Sequence, residues 1–90
     1  MENEKIMKWL EERQQEKRVY TWLSDSHYKI TFSGGGVYEW KSAECGYDRE
    51  HVQAWIDGEM VQNAVYRQGW LQNGVWGLEK LEELPLDNAA

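Results

Sequence analysis

The sequence predicts an α+β fold for residues 1–90, in which an N-terminal helix precedes a three-stranded antiparallel meander and a second helical segment. Three patterns predict this order. Apolar residues near the N-terminus recur at helical spacing, residues 19–41 alternate with a period of two, and helical spacing returns after residue 48. Ninety residues leave room for one hydrophobic core of ordinary size, so residues 1–90 are expected to form a single domain.

The first helix is predicted over residues 3–17. Ile6, Met7 and Leu10, with Trp9 beside them, form its apolar patch, and the segment that follows is polar on every side. Such a helix is expected to contact the rest of the domain through only one or two turns.

Three strands are predicted over residues 19–23, 27–33 and 37–41, where apolar and polar side chains alternate. Ser24-Asp25-Ser26 and Gly34-Gly35-Gly36 separate them and are typical of turns. The middle strand has one apolar and one polar face, so one side of the sheet should be covered and the other should contact solvent.

A second helical segment is predicted from Asp48, the expected N-cap, through Ala64 toward Gly69. Gly58 should kink or break this helix. Its apolar positions follow helical spacing: Val52, Trp55, Ile56 and Met60.

The same region also has a five-residue period over residues 52–76. Small residues recur at Ala54, Ala64, Gly69 and Gly74, and large apolar residues recur at Ile56, Val61, Tyr66, Leu71 and Trp76. This spacing resembles the pentapeptide-repeat family, whose solenoid would make the chain mostly β, and some of whose acidic members imitate DNA. The sequence departs from that family because the residue between the small and large positions is often apolar, as at Trp55 and Trp70.

The C-terminal part is predicted to hold a tight turn or hairpin at Asn73-Gly74. A short helical turn that docks through its leucines is expected after it, with four leucines in the row: Leu78, Leu81, Leu84 and Leu86.

Composition favours a soluble cytoplasmic protein. The sequence has no run of about 20 apolar residues that could cross a membrane, and a charged N-terminus stands where a signal peptide would need apolar residues. A single cysteine, Cys45, excludes an intramolecular disulfide of the kind that stabilises many small secreted domains.

The net charge of −6 resides in the second half of the chain, since residues 1–41 carry seven basic and seven acidic residues, whereas residues 42–90 carry three and nine. Such a charge repels phosphate backbones and attracts basic surfaces. Direct nucleic-acid binding is therefore not expected, and a basic partner protein is.

No catalytic or metal site is predicted. Cys45 and His51 have little nearby that would activate a thiolate, and a zinc site made from them with Asp48 and His27 would lack the paired cysteines of structural sites. The glycine run at 34–36 precedes a strand instead of a helix, which argues against a phosphate-binding loop. We expect neither an enzyme nor a bound cofactor.

Six tryptophans are more than a core of this size readily buries. Trp22, Trp40 and Trp55 are predicted to lie in the core, whereas Trp9 and the pair around the C-terminal turn are predicted to contact a partner. The predicted partner-binding residues are therefore three tryptophans and four acidic residues beside them: Trp9, Trp70, Trp76, Glu59, Glu79, Glu82 and Glu83.

The sequence thus predicts a non-catalytic protein interaction module. One specific form is a small acidic inhibitor, of the kind that phages and mobile elements encode, bound to a basic nucleic-acid-processing protein. Two alternatives stay open: a subunit of a homo-oligomer, and a small-ligand domain with an aromatic pocket lined by Tyr28, Phe32, Trp40 and Trp55.

Overall fold

A computed structural model describes residues 2–71 and 74–86. One helix precedes six strands, which we number in chain order. Their bounds are α1 Glu2–Glu11, β1 Arg18–Ser24, β2 His27–Phe32, β3 Val37–Gly46, β4 Arg49–Ile56, β5 Glu59–Trp70 and β6 Trp76–Glu83.

The six strands form one antiparallel sheet in the order β1-β2-β3-β4-β5-β6. Each strand therefore pairs with the strand that precedes or follows it in the sequence, and the sheet is a meander throughout. In the part of the chain that is described, β1 and β6 each have a strand on one side only, so that the sheet is open at both edges.

The predicted α+β class is wrong, because the fold is mostly β. The first three strands lie where the alternation places them, but the segment predicted as a second helix forms β4 and β5. Val52 and Ile56 are four residues apart, and a spacing of four fits one turn of a helix as well as two repeats of a strand, whereas Met60 lies beyond the turn on β5. Burial of Val52, Ala54 and Ile56, each two residues from the next, shows the strand period.

Two turns lie where the sequence predicted the N-cap of the second helix and its break at Gly58. Asp57 (φ 51°) and Gly58 (φ 85°) link β4 to β5 as a two-residue loop, in which both residues have the positive φ of a type I′ turn. The residue that we expected to kink a helix therefore closes a hairpin. Asp48, the predicted N-cap, lies in the β3–β4 turn with a φ of 58°.

The alternative of a pentapeptide-like solenoid over residues 52–76 agrees with the fold only in being mostly β. The strands of this region pair antiparallel, with Ala54 opposite Gln62 and Trp70 opposite Trp76, instead of stacking as successive coils. The five-residue period therefore has no counterpart in the sheet.

A hairpin is present in the C-terminal part, although Asn73 of the predicted turn lies outside the described residues. The Leu71 N–H donates to the Val75 carbonyl at 2.9 Å, and Gly74 has a φ of 78°. The expected helical turn after this hairpin is wrong, because Leu78 and Leu81 belong to the extended strand β6. Both leucines are exposed.

Helix α1 ends at Glu11 instead of Lys17, and turns lead from it to β1. This earlier end agrees with the absence of apolar residues after Leu10, since a polar segment gains little by packing as a helix. The turns fix the chain against the β2–β3 loop, where Glu16 Oε1 accepts the Gly34 N–H at 2.6 Å.

One face of the sheet, which we call the helix face, packs against α1. The core between them contains seven buried residues: Ile6, Ile30, Phe32, Tyr38, Ala54, Ile56 and Val61. The β4–β5 pairing is irregular between Met60 and Gln62, where β5 contains one extra residue, Val61. Trp9 and Leu10 of the helix and Tyr28 and Trp40 of the sheet pack around this core.

Alkaline pH is expected to destabilise this core through Tyr38. Burial, with a smaller contribution from the Tyr28 phenolate, raises the pKa of Tyr38 from 10.0 to about 12. The unfolded chain releases this proton near pH 10 whereas the folded chain retains it, so the stability is complete below pH 10 and declines as the pH rises toward 12.

Urea unfolding at a series of pH values tests this. The Tyr38→Phe variant has no phenol to ionise at this position and should lose less of its free energy of unfolding between pH 10 and pH 12. Equal losses in the two proteins would show that Tyr38 does not cause the decline.

Candidate interaction surface

Trp70 and Trp76 form an exposed pair of aromatic side chains at the end of the β5–β6 hairpin. They lie opposite each other in the register, on the same face of the sheet. Their ring centroids are 5.5 Å apart at an interplanar angle of 88°, which is a T-shaped contact. Trp70 is 73% exposed and Trp76 is 54% exposed. Each ring therefore restricts the motion of the other, and most of the surface of both side chains remains accessible to solvent.

Trp76 belongs to β6, which also contains three of the predicted acidic contact residues: Glu79, Glu82 and Glu83. Arg67 donates to the Glu79 carboxylate from β5, and Lys80 Nζ lies 2.6 Å from Glu83 Oε1. The acidic edge is thus partly neutralised within the chain. Glu82 lies opposite Val65 in the register and is exposed.

The other two predicted contact residues lie elsewhere. Glu59 begins β5, at the opposite end of this strand from Trp70, and is exposed beside the Asp57-Gly58 turn. Trp9 is half-buried, because its ring packs edge to face against Phe32 with a centroid distance of 5.2 Å. The Arg13 guanidinium covers the Trp9 ring at 3.9 Å from its centroid. Trp9 is thus largely covered within the chain and has a structural role, while its contact with a partner stays a prediction.

Trp22 was predicted to lie in the core, and this is wrong, because its side chain is 61% exposed. It stands on the edge strand β1, and its ring lies 4.8 Å from that of Tyr28 on β2. Tyr28 in turn stacks on Trp40 of β3 at 5.5 Å. An aromatic row, Trp22-Tyr28-Trp40, therefore runs across three strands of the helix face and emerges into solvent at the β1 edge.

The sequence contains a signal for this exposed row. Val19, Tyr20 and Leu23 belong with Trp22 to the first strand of the meander, and all four are exposed. A first strand lies at the edge of a meander, where it has a neighbour on one side only, so that its large side chains are less covered than those of a central strand.

The aromatic residues of the alternative ligand pocket are divided between the two faces of the sheet. Tyr28 and Trp40 share the helix face, with Phe32 buried beneath α1. Trp55 alternates with the buried Ala54 and Ile56 of β4 and so points to the opposite face. These four residues therefore do not line one pocket.

The opposite face of the sheet carries two side-chain hydrogen bonds between neighbouring strands. His27 Nε2 lies 2.5 Å from Glu39 Oε2, and His51 Nε2 lies 2.5 Å from Asn63 Oδ1. The Asn63 amide also donates to the Pro85 carbonyl at 2.8 Å, which holds the segment after β6 against β5. His51 thus belongs to a hydrogen-bond network of β4 and β5 instead of the first turn of a helix.

No group of three or more histidine, cysteine, aspartate or glutamate residues that could hold a metal ion occurs in residues 2–71 and 74–86. Cys45 is an exposed free cysteine near the end of β3. It therefore lies on an extended strand, before the β3–β4 turn.

Comparison with protein-family models, with curated proteins and with solved structures gives no match for this chain. Among the described residues, no helix combines the length and the apolar character that a membrane crossing requires.

Proposed function

We propose that this chain is a non-catalytic protein interaction module that binds its partner with the end of the β5–β6 hairpin. The observation that carries this proposal is the exposed Trp70–Trp76 pair. Tryptophan is enriched among the few residues that provide most of the binding energy at protein interfaces. A hairpin supports two such rings on paired backbone, so that they lose little conformational freedom when a partner covers them.

Charge supports a partner with a basic surface. The protein carries a net charge of −6, and β6, which extends from Trp76, contributes Glu79, Glu82 and Glu83 against the single lysine Lys80. Complementary charge of this kind raises the association rate and orients the encounter, while the buried aromatic residues slow dissociation.

The specific form that we propose is an inhibitor that occupies the basic nucleic-acid-binding groove of a larger protein. The acidic strand β6 begins at Trp76, and Trp70 lies beside it on β5. This edge suits such a groove, since apolar or aromatic residues of the groove would cover the two rings. Lysines and arginines of the groove would approach the carboxylates on both faces of the strand, Glu83 on the face of the rings and Glu79 and Glu82 on the other. The module itself needs no catalytic group in this role.

The proposal is tested by affinity capture from the native host, followed by binding measurements with the purified partner. The partner is expected to be a basic nucleic-acid-processing protein, and its affinity should fall as salt rises. Trp70→Ala and Trp76→Ala should each weaken binding by at least about 2 kcal/mol, or roughly thirtyfold, as is usual for truncated hot-spot tryptophans.

Trp22→Ala is the matched control, because Trp22 is also an exposed tryptophan in contact with a second aromatic ring, but stands at the opposite edge of the sheet. It should leave the affinity nearly unchanged. Equal effects of all three substitutions, or a captured partner without a basic surface, would refute the proposal.

A further inference from the structure

Strand β1 has an open backbone edge. The Ser33 N–H donates to the Lys17 carbonyl at 2.9 Å, which identifies this pair as hydrogen-bonded in the β1–β2 ladder. Hydrogen-bonded and non-hydrogen-bonded positions alternate in an antiparallel pair. Arg18, Tyr20 and Trp22 therefore direct their N–H and carbonyl groups away from β2. All seven residues of β1 are exposed, so this edge faces solvent.

Strand β6 has the equivalent edge on the other side of the sheet. The hydrogen bond from the Leu71 N–H to the Val75 carbonyl fixes the alternation of the β5–β6 ladder in the same way. Trp76 and Leu78 therefore direct their backbone groups away from β5. Their side chains are exposed and lie on the helix face.

The two edges have matching geometry. A meander of six strands has its first and last strands running in opposite directions. A second copy in the same orientation would thus bring its β1 antiparallel to β6 of the first. The outward residues of both edges carry their side chains on the helix face, so Tyr20 and Trp22 would meet Trp76 and Leu78 on one continuous surface. The strands also match in length, with seven residues in β1 and eight in β6.

The charges of the two edges are complementary in this direction of pairing. Lys17 and Arg18 stand at the start of β1, which contains no acidic residue. Glu82 and Glu83 stand at the end of β6, close to Lys80, which pairs with Glu83 and leaves this end of the strand with a net negative charge. Antiparallel pairing places the start of one strand beside the end of the other, so that the basic pair approaches the acidic pair. Pairing of β1 with β1 would offer the basic pair only one acidic residue, Asp25, and pairing of β6 with β6 would offer the acidic pair only one lysine, Lys80.

We propose that the open edges bind each other between copies of this chain, with β1 of one copy added to β6 of the next as a seventh strand. The main-chain groups provide the hydrogen bonds, the four aromatic and aliphatic side chains provide the buried apolar area, and the charges at the strand ends fix the direction. Because the two surfaces differ, each dimer retains one free β1 and one free β6. The assembly therefore grows into a closed ring or an open chain instead of stopping at two copies.

Two proline variants block one edge each. Tyr20→Pro and Leu78→Pro remove outward N–H groups, so neither variant loses a hydrogen bond of its own sheet, and proline is tolerated at such edge positions. Circular dichroism and thermal unfolding establish that both variants fold. Sedimentation velocity over a range of protein concentrations then measures the mass of each.

The native chain is expected to form assemblies larger than a dimer as its concentration rises. Each proline variant alone should sediment as a single chain. An equimolar mixture of the two should sediment as a dimer and grow no further, because one variant provides only β6 and the other only β1. A single-chain mass for the native protein at every concentration would overturn the proposal, as would a dimer of either variant by itself.

Charge reversal provides a second readout that does not depend on proline. Arg18 also covers the Phe32 ring, so circular dichroism and thermal unfolding must first show that Arg18→Glu folds. Arg18→Glu should then weaken the association of the native chain at least about tenfold, and combining it with Glu83→Arg should restore part of the loss. Absence of any recovery in the double variant would contradict the pairing of these strand ends. Both proposals use Trp76, so partner binding is measured below the concentration at which the chain self-associates. None of the single substitutions Tyr20→Pro, Leu78→Pro and Arg18→Glu alters Trp70 or Trp76, so failure of this assembly would leave the binding of a basic partner to be decided by its own experiment.

Discussion

Replacement of Phe32 by alanine is expected to destabilise the protein by about 3–5 kcal/mol, the range found for loss of a buried phenylalanine. Phe32 is 2% exposed and is the largest fully buried side chain among the described residues. Its ring contacts Trp9 of the helix, and the Arg18 guanidinium covers it at 5.0 Å from the centroid. Its loss would therefore leave a cavity between α1 and the sheet. Urea unfolding followed by circular dichroism measures the effect.

The control for this variant is Val19→Ala on the adjacent strand β1. Val19 is 64% exposed, so its truncation should change the free energy of unfolding by no more than about 0.5 kcal/mol. A loss of less than about 1 kcal/mol for Phe32→Ala would mean that the helix does not depend on this ring. Small domains have only about 5–15 kcal/mol of stability, so the expected loss is a large part of the total.

Gly36→Ala is expected to cost about 1–3 kcal/mol through overpacking. A methyl group at this position would lie 2.8 Å from Trp9 Cζ2 and 2.8 Å from Arg13 Nε. The indole ring is rigid and is held against Phe32, so the helix must move away from the β2–β3 loop. The glycine is thus required by the close approach of α1. Urea unfolding together with near-ultraviolet circular dichroism, which reports the environment of Trp9, measures the change.

Gly69→Ala is the matched control, since a methyl group at Gly69 would meet none of the described atoms within 4 Å. This substitution should be close to neutral, because Gly69 lies on a strand in which alanine loses less backbone entropy on folding. If both glycine variants lost equal stability, the cause would be the strand environment in general and not the contact with Trp9.

The sequence predicted the first half of the fold through local patterns. Alternation located β1, β2 and the start of β3, and the apolar residues Ile6 and Leu10 located the part of α1 that packs on the sheet. These segments are predictable because the period of their apolar residues admits one interpretation. The polar residues that follow Leu10 admitted a longer helix than the structure has.

The second half was misinterpreted because a spacing of four residues suits two periods. Val52, Ile56 and Met60 fit a helical face, and the single residue that conflicts with a strand face is Trp55. The pair Asp57-Gly58 between apolar strands is a strong hairpin signal, and it would have decided between the two. Here the local turn chemistry was more informative than the apolar period.

The alternation of apolar and polar residues within one element did not distinguish the exposed Trp22 from the covered Trp9 and Trp40. Trp22 and Trp40 both alternate within predicted strands, yet Trp22 lies on an edge strand and Trp40 on an inner one. Trp9 is covered because α1 crosses the sheet near Phe32. Both facts depend on how elements are arranged in space, which the sequence of one element does not specify. The exposure of Trp70 and Trp76 was predicted, because a hairpin end leaves few neighbours to cover them.

The strand order has a consequence for the way in which the protein folds. Every strand pairs with its neighbour in the sequence through a short loop, so most contacts of the sheet close only small segments of chain. Such a topology has low contact order for a mostly β protein, and low contact order favours rapid folding. The principal exception is the contact between α1 and β5, which joins the first element to the fifth strand. Docking of the helix therefore carries the largest loop-closure entropy, and we expect it to complete a sheet whose hairpins have formed first.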